Sequence, residues 1–229
     1  MSSSQPTASD NQPVLAIFDL DNTLLGGDSD HAWGEFLIAQ GLVDAGVHQR
    51  ENDRFYSDYC AGELDIFAYL RFALSAIAGR SRDDVADLHQ IFMQQVIEPM
   101  RLRKADQLLA EHREQGHYLL VITATADVIS APIARALGVD DVLASNAQIV
   151  DGIYTGEPEG EPCFQAGKVN RLQQWLQSRD FDLANAYFYS DSHNDLPLLG
   201  KVGQPVAVDP DEKLRKHAQL HGWPCISLR

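Results

Sequence analysis

The sequence predicts an α/β fold, a parallel sheet with helices on both faces and a helical insertion set into it. Three observations carry that prediction. Short, near-continuously apolar runs recur along the chain, and the segments between them place apolar residues at helical spacing. One long stretch shows the helical pattern and no strand pattern.

The first strand is read at Val14–Phe18, and others follow at Tyr118–Ile122, Val142–Ala144, Ala186–Tyr189 and Pro205–Val208. A strand covered on both faces loses the alternation of a surface strand, which is why these runs are apolar throughout. From Ser29 to Pro99 the chain reads as amphipathic helices, one carrying Ile66, Phe67, Leu70, Leu74 and Ile77. Following directly on the first strand, this insert is expected to cover its end as a cap. Leu102, Ala105, Leu108, Leu109 and His112 trace a helix face that Gly116 ends. Val169, Leu172 and Leu176 trace another. Asp151-Gly152, between Ile149-Val150 and Ile153-Tyr154, predicts a two-residue hairpin within 147–156. The expected organisation is a flexible tail over 1–12, a core of 13–28 and 100–229, and a cap of 29–99.

A chain of 229 residues can hold one good core, or one core and a small insert. Its 45% apolar and 22% charged residues are ordinary for a soluble globular protein. A net charge of -15 argues against nucleic acid or an anionic membrane as partner. Cys60, Cys163 and Cys225 are odd in number and far apart, which suits neither a disulfide framework nor a zinc site. MSSSQPTASDNQP has neither a basic start nor an apolar centre, and no apolar run reaches membrane-spanning length. The cytoplasm is the expected compartment. No heptads appear, so oligomeric state has no sequence signature.

The chemistry lies after the strands, since ligands of open α/β sheets bind beyond the strands' carboxyl ends. The first strand stops at Asp19-Leu20-Asp21, and Thr123, Ala124 and Thr125 follow the second. Lys168 stands at a helix start, and Asp191 to Asp195 follow the fourth strand. Close, unpaired carboxylates beside a core repel one another and resist burial, a penalty that a divalent cation relieves. Mg2+ takes oxygen ligands, so the carboxylates of Asp19 and Asp191 and a backbone carbonyl, that of Asp21, suit it. A second oxygen of Asp19 is then free to attack phosphorus, with Asp21 as general acid and base. Thr123 and Lys168 can hold the phosphoryl oxygens.

These ordered motifs resemble those of the haloacid dehalogenase (HAD) superfamily: DLDNTL at Asp19–Leu24, the threonine of VITAT at Thr123, Lys168, and SDSHNDLPLL at Ser190–Leu199. The long helical insert and GKV-type lysine are similar to the phosphoserine phosphatase-like branch, subfamily IB. The resemblance implies a three-layer Rossmannoid core, a helical C1-type cap, Mg2+ and hydrolysis of a small phosphate monoester. Ser190 departs from the pattern, since many members have glycine there. Asp21 favours phosphoryl transfer, because dehalogenating members lack this second acid. Asp195 is expected to orient Lys168 or a metal-bound water. Asn22, Thr125 and Asn194 are further candidate contacts. A phosphotransferase remains an alternative, and a non-catalytic member would have lost a carboxylate that this chain keeps.

Asp28 lies where phosphoserine phosphatases hold the acid that pairs with the substrate amine, and it equally suits a helix cap. The family's carboxylate-gripping arginine falls near Ala73, with Arg71 close by. An amine-binding acid without a clear arginine suits an amino-alcohol phosphate. The stretches Gly27–Gly34 and Pro205–Asp211 resemble those of histidinol-phosphate phosphatases. L-Histidinol phosphate is therefore the expected substrate and phosphoserine the alternative. Tyr56, Asp58 and Tyr59 are candidates to meet an imidazole. His193 is expected to face solvent, Trp175 and Trp223 to pack, and Glu157–Pro162 to form a solvated loop.

Overall fold

The computed structural model describes residues 13–229, so the expected tail over 1–12 lies outside the described residues. Seven strands form one sheet: β1 (Leu15–Phe18), β2 (Tyr118–Ala126), β3 (Asp141–Val150), β4 (Ile153–Glu159), β5 (Tyr187–Ser190), β6 (Gln204–Val208) and β7 (Cys225–Ile226). Their order is β4-β3-β2-β1-β5-β6-β7, and all pairs are parallel except β3–β4. The short β1 therefore lies at the centre, paired with both β2 and β5.

Its neighbouring side chains point to opposite layers, as the pleat requires. Ala16 and Phe18 enter one core with Ala105, Leu109, Ile129 and Ile133. Leu15 and Ile17 enter the other with Leu172, Trp175, Leu214 and Ala218. The first layer holds α6 (Arg103–Glu114) and α7 (Asp127–Ala136), and the second α8 (Ala166–Leu176), α9 (Leu196–Leu199) and α10 (Glu212–His221). The molecule is thus an α/β sandwich of three layers.

The helical pattern between β1 and β2 forms α1 (Ser29–Ala39), α2 (Ala45–Ala61), α3 (Ile66–Ser75) and α4 (Arg82–Phe92), then a π-helical turn at Met93–Ile97 and the short α5 (Glu98–Met100). Asp28, Asp44, Asp65 and Ser81 begin the four longer helices, each accepting a backbone N–H of the first turn. A cap of this kind is worth about 1 kcal/mol, so each start is locally encoded. Trp33, Phe36 and Phe92 pack together within this segment, with ring centroids 5.0 to 5.4 Å apart, and continue into the first core.

The edge strand is only half legible from the sequence. Asp151 and Gly152 adopt positive φ values of 51° and 80° in the hairpin turn. Glu157–Glu159, expected in a solvated loop, complete β4, where Glu159 pairs with Asn146. Their alternating exposure lacks the apolar run that marks a central strand. Backbone bonds from Gly79 to Tyr154, Tyr154 to Arg80 and Arg82 to Gly152 tie β4 to the helical segment. The two-residue β7 is too short to carry a periodic signal. Trp175 packs in the second core and donates to Asp141 at 2.6 Å, while Trp223 packs against His217 and His221. Among the described residues no helix is long and apolar enough to cross a membrane.

Candidate active site

Beyond Phe18 the backbone keeps its place in the sheet, because Asp19 donates its N–H to the Tyr189 carbonyl at 2.9 Å. That bond fixes the Asp19 carboxylate at the sheet's carboxyl edge. The chain then turns at Asn22, which has φ 55° and donates its N–H to Gly27. Thr23 swings back towards β5. Its hydroxyl donates to Asp191 Oδ1 at 3.2 Å and accepts from the Asp191 N–H at 3.1 Å. Asn22 meets Arg229, whose Nη1 donates to its carbonyl at 3.3 Å.

Lys168 reaches this edge from the first turn of α8. A Cβ at Gly167 would collide with the Pro162 carbonyl oxygen, so only glycine lets the helix start this close to the preceding loop. Lys168 is 2% exposed, and its Nζ donates to Asp19 Oδ1 and to Asp195 Oδ2, both at 2.8 Å. Ser190, the departure from the glycine pattern, adds a donor: its hydroxyl reaches Asp195 Oδ2 at 2.7 Å. Thr123 is buried, and its oxygen accepts the Thr125 N–H at 3.2 Å.

Burial is the main influence on these acids. It raises Asp19 to about 7 against the opposing pull of Lys168. Asp21 is raised to about 7 by burial and by Asp28, although Ser29 N–H and the Thr125 hydroxyl bond its two oxygens at 2.6 and 2.8 Å. Asp191 stands well above the usual carboxylate range through burial, Asp19 and Asp195. Burial also depresses Lys168, but Asp19 and Asp195 outweigh it and the net shift is upward.

A cleft of about 560 Å³, counting the solvent space at its mouth, opens between this edge and the helical segment. One side carries Asp19, Asp21 and Thr123, the other Asp28, Asp30, Tyr56, Tyr59 and Tyr69. Asp28 stands both at the start of α1 and beside the cleft. Its Oδ1 caps α1 by accepting from Asp30 and His31 N–H at 2.9 Å, and its side chain lines the cleft. Asn194 accepts from Gln165 and donates to the Tyr59 carbonyl, both at 3.0 Å, so it joins the edge to the end of α2.

Three expectations need correction. Arg71 does not line the cleft; its Nε pairs with Glu157 of β4 at 2.9 Å, with both side chains more than half exposed. Ile66 and Tyr69 face the cleft from the same helix, and position 71 is turned away from them. Asp58 is not in the lining either. His193 is held rather than solvated: its Nδ1 meets Asp211 Oδ2 at 2.7 Å and its Nε2 meets Lys213 Nζ at 3.2 Å. Sequence reasoning missed Thr23, Asp30 and Tyr69. The acidic run Asp28-Ser29-Asp30 pointed to that wall without telling the capping acid from the free one.

Asp19 and Asp191 fit a divalent ion. Asp19 is buried, it raises the proton affinity of the half-buried Asp191, and Lys168 contacts only Asp19. Among the described residues no three His, Cys, Asp or Glu side chains form a metal cluster. The donors that fit are the two carboxylates.

An open sheet with carboxylates and a buried lysine at its carboxyl edge defines a class, and comparison agrees. The family model of the haloacid dehalogenase-like hydrolases matches residues 16–200, and the chain belongs to that family. Within the family it is 43% identical over 219 residues to a histidinol-phosphatase of Neisseria meningitidis serogroup C (strain 8013), covering 94% of this chain and 99% of that one. It is 33% identical to a phosphoserine phosphatase of Mycobacterium tuberculosis, covering 96% of this chain and 74% of that one. A crystal structure of a protein of unknown function from Bordetella pertussis Tohama I superposes with a TM-score of 0.89 at 40% identity, over 96% of this chain and 100% of that one. A substrate-bound phosphoserine phosphatase shares the fold, with a TM-score of 0.70 at 21% identity over 95% and 94% of the two chains.

Proposed function

We propose that the chain is a Mg2+-dependent phosphatase that hydrolyses L-histidinol phosphate to L-histidinol and inorganic phosphate, a step of histidine biosynthesis. Asp19 is the nucleophile: its free oxygen bonds to phosphorus as the ester oxygen leaves. Asp21 gives its proton to that leaving oxygen, then takes one from the water that releases phosphate from Asp19. An Asp21 raised to about 7 holds that proton near neutral pH. Lys168 and Thr123 hold the phosphoryl oxygens, and Asp195 with Ser190 positions Lys168. Asp19, Asp191 and the Asp21 carbonyl would hold Mg2+, which offsets charge on the phosphoryl group when bound. Residues 29–99 act as the cap that selects the ester, and Asp28 pairs with the substrate ammonium.

One observation carries the choice of substrate. Among the described residues no arginine or lysine lines the helical wall of the cleft, which presents Asp28 and Asp30. A substrate bearing an ammonium meets acids there, whereas the carboxylate of phosphoserine would find no cation. The near-full-length likeness to a histidinol-phosphatase supports the same reading. Side-by-side kcat/KM values for L-histidinol phosphate and L-phosphoserine test it. We expect a preference of at least about a hundredfold for the former, the scale set by an unmatched polar group. An equal or reversed preference overturns the substrate. Turnover that survives EDTA overturns the metal, and turnover that survives Asp19→Asn overturns the nucleophile.

A further inference from the structure

Asp30 has no part in the chemistry proposed above, and its position at the start of α1 is unusual. It is 7% exposed, yet its Oδ1 is a buried oxygen with no hydrogen-bond partner. Ser29 beside it has an equally orphaned hydroxyl. Buried carboxylate oxygens are rarely left this way, because the lost hydration must be replaced by a donor. Capping does not explain Asp30, since Asp28 already accepts the first-turn N–H groups. The Tyr69 hydroxyl lies beside it and brings no positive charge, and the Thr125 hydroxyl donates instead to Asp21.

Asp30 lines the same cleft as Asp19, together with the rings of Phe55, Tyr56 and Tyr69. Asp30 and Tyr69 also border a smaller void beside the cleft, with His48 and Asn52, which neither Asp19 nor Asp28 lines. Asp28 therefore stands on the Asp19 side of Asp30. In an amino-alcohol phosphate that carries an imidazole, the ammonium sits one carbon from the ester carbon and the ring lies further out. An acid beside aromatic faces suits a flat ring with polarised N–H groups.

We propose that Asp30, supported by the Tyr69 hydroxyl, is a specificity-determining acid that receives a ring N–H of the substrate's imidazole, leaving Asp28 for the ammonium. This assignment rests on the histidinol phosphate reading above. It names a second recognition group, one that acts on binding rather than on the chemical step.

Steady-state kinetics with two esters test it. L-Histidinol phosphate carries ring and ammonium, and O-phosphoethanolamine keeps the ammonium and lacks the ring. The ratio of their kcat/KM values is measured for the wild type, Asp30→Asn and Tyr69→Phe. We expect the wild type to favour the ring-bearing ester and Asp30→Asn to lower that ratio roughly ten- to a hundredfold, the worth of one charged hydrogen bond. The change should fall in KM more than in kcat. Tyr69→Phe keeps the ring and should shift the ratio the same way by less. An unchanged ratio in both variants, or a loss confined to kcat, overturns the assignment of Asp30. If Asp30→Asn does not fold, as circular dichroism would reveal, the ratio for Tyr69→Phe decides alone. A wild type without preference for the ring-bearing ester instead overturns the substrate reading, and the imidazole subsite falls with it.

Discussion

Both walls of the cleft are built from carboxylates, and they differ in what neutralises them. At the sheet edge, Lys168 is bonded at 2.8 Å to both Asp19 and Asp195, and Ser190 adds a further donor. On the helical wall, Asp28 has backbone N–H groups, Asp30 has the Tyr69 hydroxyl beside it, and among the described residues no lysine or arginine lines the cleft with them. The first wall carries part of its own compensation, and the second, on the function proposed above, meets its cation in the substrate. An enzyme needs both arrangements. Reacting groups must be held before the substrate arrives, whereas a recognition surface gains its selectivity from charge that only the right ligand supplies.

The sharpest way to break this contrast is Lys168→Met. It strands Asp19 and Asp195 in a buried site, and losing one partner of a buried ion pair costs about 3–5 kcal/mol. Urea denaturation should register that loss, and p-nitrophenyl phosphate hydrolysis should fall by about two to three orders of magnitude. A variant as stable as the parent would show that the sheet edge does not depend on its lysine.

Asp30 should respond in the opposite sense. Burial raises it from 3.8 to about 8, followed by the effect of Asp28. The folded chain thus keeps a proton that the unfolded chain has released. The stability from this group is full below the unfolded value and drains away as pH rises through the folded one. A tenfold change in proton affinity is worth about 1.4 kcal/mol, so Asp30→Asn should stabilise the ligand-free protein by a few kcal/mol near pH 8. That gain should shrink towards acid pH. Thermal melts of both proteins across this range check the trend, and a gain that grows on acidification would reverse the sign.

The least effect is expected outside the cleft. Arg71 and Glu157 form an exposed pair, and such pairs are worth well under about 1 kcal/mol. Arg71→Ala should leave both melting temperature and kcat/KM near their parental values. A rise in KM would return Arg71 to the substrate site.

What can be read from the sequence follows the same division. Asp19 and Asp21 stand out because an apolar run ends in acids, and Lys168 because it opens a helical period after Gly167. These are local patterns. The role proposed for Asp30 depends on Tyr69, which comes from α3, and no local spacing joins the two. His193 reads as solvated because its partners, Asp211 and Lys213, lie around α10, beyond an intervening strand. Arg71 suggests itself by proximity in sequence, whereas a helix sends residues two apart to different sides. The central strands are legible because burial on both faces leaves an apolar run. The end of β4 is not, since an edge strand needs no such run.

One joint in the molecule bears on how such a protein could change its ligand. The end of α2 rests on the sheet side through its main chain: the Tyr59 carbonyl accepts from Asn194, and the Ala61 carbonyl from Lys213 at 2.8 Å. Gly62, at φ 81°, leaves no room for a Cβ against His193. The Tyr59 ring adds a contact to Phe164, so at this joint Tyr56 is the face that can be rewritten while the main-chain attachment stays intact. New specificities could evolve on this scaffold by editing a surface mounted largely through its main chain.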